Sequence, residues 1–284
     1  MGLSIRKHSK DIPVVRIKPL KGLKAINFRE LWEYRELIYF LTWRDIKVRY
    51  KQTVLGVAWA VLQPLAMMIV FTLFFGRLAK MPSEGIPYPV FAYTALMPWQ
   101  IFSHAITGSS NSLVTNQKLI TRVYFPRVIV PASTVLAALV DFAVSFLLLI
   151  GLMLFYKITP TVNVLWLPLF IGLMVITALA IGLWLSALNL EYRDVQYTIP
   201  FLNQLLLFLT PVVYPSSLVP KHFQIVYAIN PMVGVIEGFR WALLGVGPGP
   251  GSMLLLSSFV SLVLFILGLY FFRWRERSFV DAVG

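Results

Sequence analysis

Cysteine is absent from the 284 residues, so the chain has neither a disulfide framework nor thiol chemistry. Acidic residues number only twelve. One of them, Asp141, falls well inside an apolar stretch, which leaves no carboxylate pair for acid–base work. The three histidines, His8, His104 and His222, are scattered without metal-ligand spacing, and no metal is expected. No glycine-rich loop leads into Lys-Ser or Lys-Thr, which excludes a P-loop cradle for ATP phosphates. Intrinsic catalysis is therefore not expected. Coupling to protons or sodium is poorly supported too, because it places several ionisable groups at membrane depth.

What the chain has in excess is apolar side chain and positive charge. It is 58% hydrophobic and 13% charged, where a globular domain averages about half and about a quarter. No polar segment is long enough for a second folded unit, so one membrane domain is expected. The net charge of +13 would suggest nucleic acid in a soluble protein. Here membrane orientation accounts for it, and no nucleic-acid partner is expected. Residues 1–35 are polar and basic with no apolar run, unlike a cleavable signal.

A spanning helix needs about 20 residues at roughly 1.5 Å each. Six stretches qualify or nearly do: 54–75, 88–108 (interrupted by Pro89 and Pro98), 128–156, 164–190, the short 199–214, and 253–272. With both termini on one side, that side collects twenty Lys and Arg against five on the other. The positive-inside rule then places both termini in the cytoplasm. The expected fold is all-α: a basic cytoplasmic segment over 1–36, an interfacial amphipathic helix over 37–53, a six-span domain over 54–272, and a cytoplasmic tail over 273–284.

Two connections are unusual. Over 37–51, Tyr39, Trp43, Ile46 and Tyr50 recur at helical spacing, with Arg44, Lys47 and Lys51 on another face. Such a helix lies in the headgroup plane, where it would also anchor to anionic lipid. The stretch 214–251 is apolar and aromatic but cut by Pro215, Pro220, Pro231, Pro248 and Pro250. Short helices over 219–227 and 232–244, the second capped by Asn230, would form a re-entrant hairpin on the external side. Backbone of that kind is tolerated when it is buried in protein or lines a wet cavity. It would border a pathway or simply pack as a lid.

Six motifs carry a family resemblance: RDIKVRYKQTVLGVAWAVLQP at 44–64, MPWQIFSHAITGSSNSL at 97–113, NQKLITRVYFPRVIVP at 116–131, LNLEYRDVQY at 188–197, LTPVVYP at 209–215 and NPMVGVIEGFRWALLG at 230–245. In this order, with six spans, the chain resembles the membrane-spanning permease of ABC-2 type exporters for cell-surface polysaccharides. These carry O-antigen, capsule or teichoic acid. The resemblance implies a homodimer in the cytoplasmic (inner) membrane, working with two separate ATPase subunits. ATP and magnesium would bind on those partners, and no cofactor on this chain. The implied substrate is a polysaccharide on polyprenyl pyrophosphate, O-antigen by preference.

The resemblance also assigns roles. The segment 116–127 is similar to the coupling helix that docks into the ATPase, with Leu119, Ile120, Tyr124 and Phe125 exposed as anchors among Lys118, Arg122 and Arg127. An ordinary basic flank is the alternative. Arg193 and Asp194 resemble the family's Arg-Asp pair and would brace their turn or touch the ATPase. Segment 37–51 looks like the interface helix, making Arg44, Arg49 and Lys51 candidates for the pyrophosphate, since guanidinium forks bind phosphate oxygens bidentately.

Trp59, Phe71, Phe74, Phe75, Phe208 and Tyr214 would line a path along which sugar faces slide, or else form an interfacial belt. Asp141 would pair with a cation on a neighbouring helix or contact sugar hydroxyls. Glu237 and Arg240, three apart, would pair at the external re-entrant gate. Two rival functions remain: ABC-2 export of a small lipid or drug, and a membrane-embedded lipid-sugar enzyme.

Overall fold

In the structure, a computed structural model, residues 28–51, 56–247, 249–276 and 279 are described. The basic segment 1–27, the junction 52–55 and most of the tail beyond 276 lie outside them. All regular structure among the described residues is helical. In order these are α1 (Phe28–Glu33), α2 (Arg35–Lys51), α3 (Gly56–Phe71), α4 (Tyr88–Thr115), α5 (Gln117–Arg122), α6 (Ile129–Phe155), α7 (Leu167–Glu191), α8 (Val195–Phe208), α9 (Gln224–Ala228), α10 (Pro231–Leu244) and α11 (Ser252–Arg275). A π-helical turn, Thr72–Leu78, extends α3, and a 3-10 turn, Val162–Trp166, leads into α7.

Four helical stretches are long and apolar enough to cross a membrane: Val61–Leu78, Ile129–Phe155, Val162–Glu191 and Ser252–Arg275. The helix α4 is long enough at 28 residues but carries Gln100, His104 and a run of Ser, Thr and Asn. It is the centre of the bundle, packed on α3, α6, α7, α8 and α10. Neighbouring helices take part of its hydrogen bonding. Asn189 of α7 donates to the Ser110 carbonyl at 3.1 Å and to Asn111 at 3.0 Å, and Asn203 of α8 donates to Thr107 at 3.0 Å. The expected interruption at Pro89 and Pro98 does not occur. Pro89 sits in the first turn, where its missing N–H leaves no gap, and Pro98 lies inside a continuous helix.

Helices facing lipid gain little from water exclusion and pack through close approach of small residues. A side chain on Gly182 of α7 would meet Ser109 of α4, and one on Gly268 of α11 would meet the Ala180 carbonyl of α7. Beside them, Thr177 and Ser261 hydrogen-bond at 2.9 Å.

The chain leaves α8 at Phe208, earlier than the sequence suggests, and runs through buried irregular backbone. Three carbonyls there receive a side-chain donor. Arg240 reaches the Val212 carbonyl at 2.9 Å and the Tyr214 carbonyl at 3.2 Å, and the Tyr88 hydroxyl reaches the Val213 carbonyl at 2.8 Å. This is how non-helical backbone is held inside a helical bundle. The expected helix over 219–227 is a 3-10 turn, Lys221–Phe223, followed by α9. Next, α10 starts at Pro231 with the Asn230 side chain accepting from the Met232 N–H at 3.1 Å, and stops at Gly245 in the left-handed region (φ 71°). It is buried along almost its whole length against α4, α7 and α11.

Candidate functional site

Helix α2 touches the bundle through a face other than the aromatic stripe. Leu41 is 1% exposed, with Tyr34, Leu37 and Ile38 packed behind it, whereas Tyr39 and Trp43 point away from the protein. Tyr39 and Trp43 are thus free of the protein, and a second seam runs along α6. Thr42 donates to the Ser133 carbonyl at 3.5 Å, and the Thr134 hydroxyl to Asp45 at 3.4 Å. At the end of the seam Arg49 and Tyr50 both donate to the carboxylate of Asp141. Burial, and then the bond to Asp141, holds the Tyr50 phenol above its ordinary pKa.

Beside this triad lies a cavity of about 400 Å³. Three helices line it with residues one turn apart: Trp59 and Gln63 from α3, Gln100 and His104 from α4, Asp141 and Ser145 from α6. Positions i and i+4 share a helix face, so each helix turns a polar stripe toward the same hole. Among the described residues, Gln63, Gln100 and His104 find no hydrogen-bond partner for their side chains. The sequence reading placed Arg49, Trp59 and Asp141 separately and overlooked the two glutamines. The missed signal was the spacing of four within otherwise apolar spans.

The other entrance candidates lie apart. Arg44 turns onto Asp45, with bonds at 2.8 and 3.1 Å, and Lys51 is exposed at the end of α2. Of the expected path residues, Phe71 is buried with its ring edge-on to Phe75 at 5.5 Å. Phe74 and Phe208 are exposed, and the Tyr214 hydroxyl donates to the Phe208 carbonyl at 3.0 Å.

The loop 116–127 contains a short helix, α5, followed by an extended turn. Its aromatic pair splits. Tyr124 is 68% exposed, whereas Phe125 is 4% exposed and Ile120 is buried beside it. The expectation that all four apolar residues are exposed is met by Tyr124 alone: Ile120 and Phe125 fold onto Leu113, Val128 and Phe272, and Leu119 packs half-buried against the same cluster. The outward set is Lys118, Thr121, Arg122, Val123 and Tyr124. Arg127 is engaged internally: its guanidinium reaches the Glu276 carbonyl at 2.6 Å, while its N–H meets the Glu276 carboxylate at 3.0 Å. Arg193 and Asp194 are exposed. The ion pair nearest them joins Glu191 to Arg275 of α11, a brace the sequence did not suggest.

On the opposite side of α4, Glu237 and Arg240 pair at 3.2 Å with both side chains buried. Glu237 also accepts from the Ser216 N–H at 3.3 Å, and Arg240 lies 3.8 Å from the Phe91 ring centre. No cluster of metal-binding side chains exists among the described residues.

Long apolar helices, a buried polar central helix and a cavity opening beside α2 mark a multi-pass membrane protein of the transporter kind. The chain belongs to the ABC-2 type transporter family, whose pattern matches residues 36–244. It is 30% identical over 258 residues to an O-antigen export system permease protein, RfbA, of Myxococcus xanthus, covering 90% of this chain and 98% of that one. An RfbA permease of Klebsiella pneumoniae is 28% identical over 249 residues, 87% of this chain and 95% of the relative. The polysialic acid transport protein KpsM of Escherichia coli is 28% identical over 240 residues, 84% and 93% respectively.

Proposed function

We propose that this chain is the transmembrane subunit of an ATP-driven exporter that moves a lipid-linked surface polysaccharide, O-antigen by preference, across the cytoplasmic membrane. The observation that carries this reading is similarity along nearly the full length of permeases named for O-antigen export. Two copies would pair around a central path, each with an ATPase subunit beneath. Six spans would be completed by α4 and by α8 together with the irregular backbone after it, with both termini cytoplasmic. The segment carrying α9 and α10 would re-enter from the external side, held by the Glu237–Arg240 pair.

Nucleotide binding on the partner would press on Lys118, Arg122 and Tyr124. The lipid end of the substrate would enter beside α2, where Arg49 presents a guanidinium at headgroup depth next to the cavity. A guanidinium suits phosphate oxygens through its planar fork. A second reading, capsule export, is favoured by the likeness to KpsM.

The test is co-expression with candidate ATPase subunits and turnover measurement with and without polyprenyl-linked glycan. Co-purification, with turnover that changes on adding the glycan, is the expected result. A chain that recruits no ATPase refutes the reading.

A further inference from the structure

We propose that the cavity between α2, α3, α4 and α6 is a sugar subsite that reads the monosaccharide joined to the phosphate of the lipid-linked substrate. The inference rests on the export reading above and adds a specificity-determining site to it. Three features of the cavity carry it.

The first is unmet polar capacity. Gln63, Gln100 and His104 face the hole and find no hydrogen-bond partner for their side chains among the described residues. Gln63 and His104 are exposed and Gln100 is half-buried where they border the cavity, so their polar atoms are open to a ligand. Amides and imidazole both donate and accept, which matches the donor-and-acceptor character of sugar hydroxyls. A purely anionic ligand would call for cations instead, and the cavity wall contributed by α3, α4 and α6 carries none.

The second feature is the indole of Trp59, 61% exposed and lining the same cavity. A flat aromatic face packs against the apolar C–H face of a pyranose while the ring hydroxyls point sideways to polar groups. The third is position. The cavity adjoins Arg49, so a phosphate on that guanidinium places the next group of the ligand inside. At about 400 Å³ the volume falls in the range of about 300–1,000 Å³ typical of small-molecule sites. That suits one sugar and its phosphate rather than a polymer.

The experiment uses the full chain with its ATPase partner in lipid nanodiscs and two probes: polyprenyl pyrophosphate alone, and polyprenyl pyrophosphate bearing one N-acetylhexosamine. Equilibrium binding of each is measured. Two or three new hydrogen bonds predict that the sugar-bearing probe binds on the order of tenfold more tightly. The double variant Gln100→Ala/His104→Ala should abolish that preference and keep the affinity for bare pyrophosphate, which also shows that the variant is folded. Arg49→Ala should weaken both probes by the same factor.

Equal binding of the two probes by the unmodified chain overturns the sugar subsite, and an Arg49-dependent affinity in that case leaves the pyrophosphate entrance standing. Failure of both probes to bind overturns both. A preference that survives the double variant places the sugar elsewhere and overturns this assignment.

Discussion

Removing Arg49 should destabilise the protein through Asp141, and the size of the loss follows from how unequally the pair is buried. Asp141 sits at 7% side-chain exposure, and Arg49 at 37%. Stripping the cation from a fully buried pair costs about 3–5 kcal/mol, because the remaining charge is left without compensation. A fully exposed pair contributes about 0–1 kcal/mol. Here the carboxylate keeps the Tyr50 hydroxyl, and water reaches the arginine side. Arg49→Ala should therefore cost about 1–3 kcal/mol, between the two limits.

Asp141→Asn removes the charge that needs the cation. Arg49→Ala in that background should then cost less, giving a coupling of about 1–2 kcal/mol in a double-mutant cycle. At about 2–4 °C per kcal/mol for a chain of this size, the single variant should melt several degrees lower in detergent than the parent. Lys51→Ala, a change at an exposed cation on the same helix, serves as the control. Additive losses in the cycle, or an Arg49 variant as stable as the Lys51 control, would refute the argument.

Three further outcomes are expected. Arg240→Ala leaves Glu237 buried without its cation and strips donors from the Val212 and Tyr214 carbonyls, so about 3–5 kcal/mol should be lost; monodisperse yield on size exclusion near the parent's would contradict this. Gly238→Ala brings a Cβ within 2.3 Å of the Phe170 ring, an overpacking loss of about 1–3 kcal/mol, which Phe170→Leu should partly relieve in a melting assay. Phe125→Ala, at a site 4% exposed, should cost about 3–5 kcal/mol. Tyr124→Ala, at 68% exposure, should change stability by no more than about 0.5 kcal/mol yet reduce co-purification with the ATPase. The reverse pattern would show that the loop is read inside out.

The long apolar helices were legible because hydropathy over some 20 residues is a strong signal. Their ends were less so: α8 closes at Phe208 rather than 214, since the side chain that stabilises the break, Arg240, is distant in sequence. The same holds for α2. Its helical period was visible, and the Tyr39–Trp43 stripe was read as facing lipid, but the second apolar face, Leu37, Ile38 and Leu41, which packs on the protein, went unnoticed. Composition alone does not say which of two apolar faces meets protein and which meets lipid. At the cavity, Arg49, Trp59 and Asp141 were each identified on their own chemistry. Their convergence depends on how α2 lies across α6, a tertiary fact, and so Gln63 and Gln100 escaped notice.

The placement of α2 also constrains how a push on the loop 116–127 would reach the cavity. Its N-terminal half shares one apolar cluster with Ile120 and Phe125 of the loop and with Phe272 of α11. Its C-terminal end is pinned at Asp141 beside the cavity. Seventeen residues of continuous helix make a rod of about 25 Å. A rod embedded in packed side chains does not compress; it shifts between discrete arrangements. Displacement of the loop must then either break the Leu41 cluster or carry Arg49 relative to Asp141. A phosphate at Arg49 would compete with the Asp141 carboxylate for the same guanidinium. It would thereby favour the arrangement in which that contact is released, so that a push on the loop and a phosphate at Arg49 would bias one helix from opposite ends.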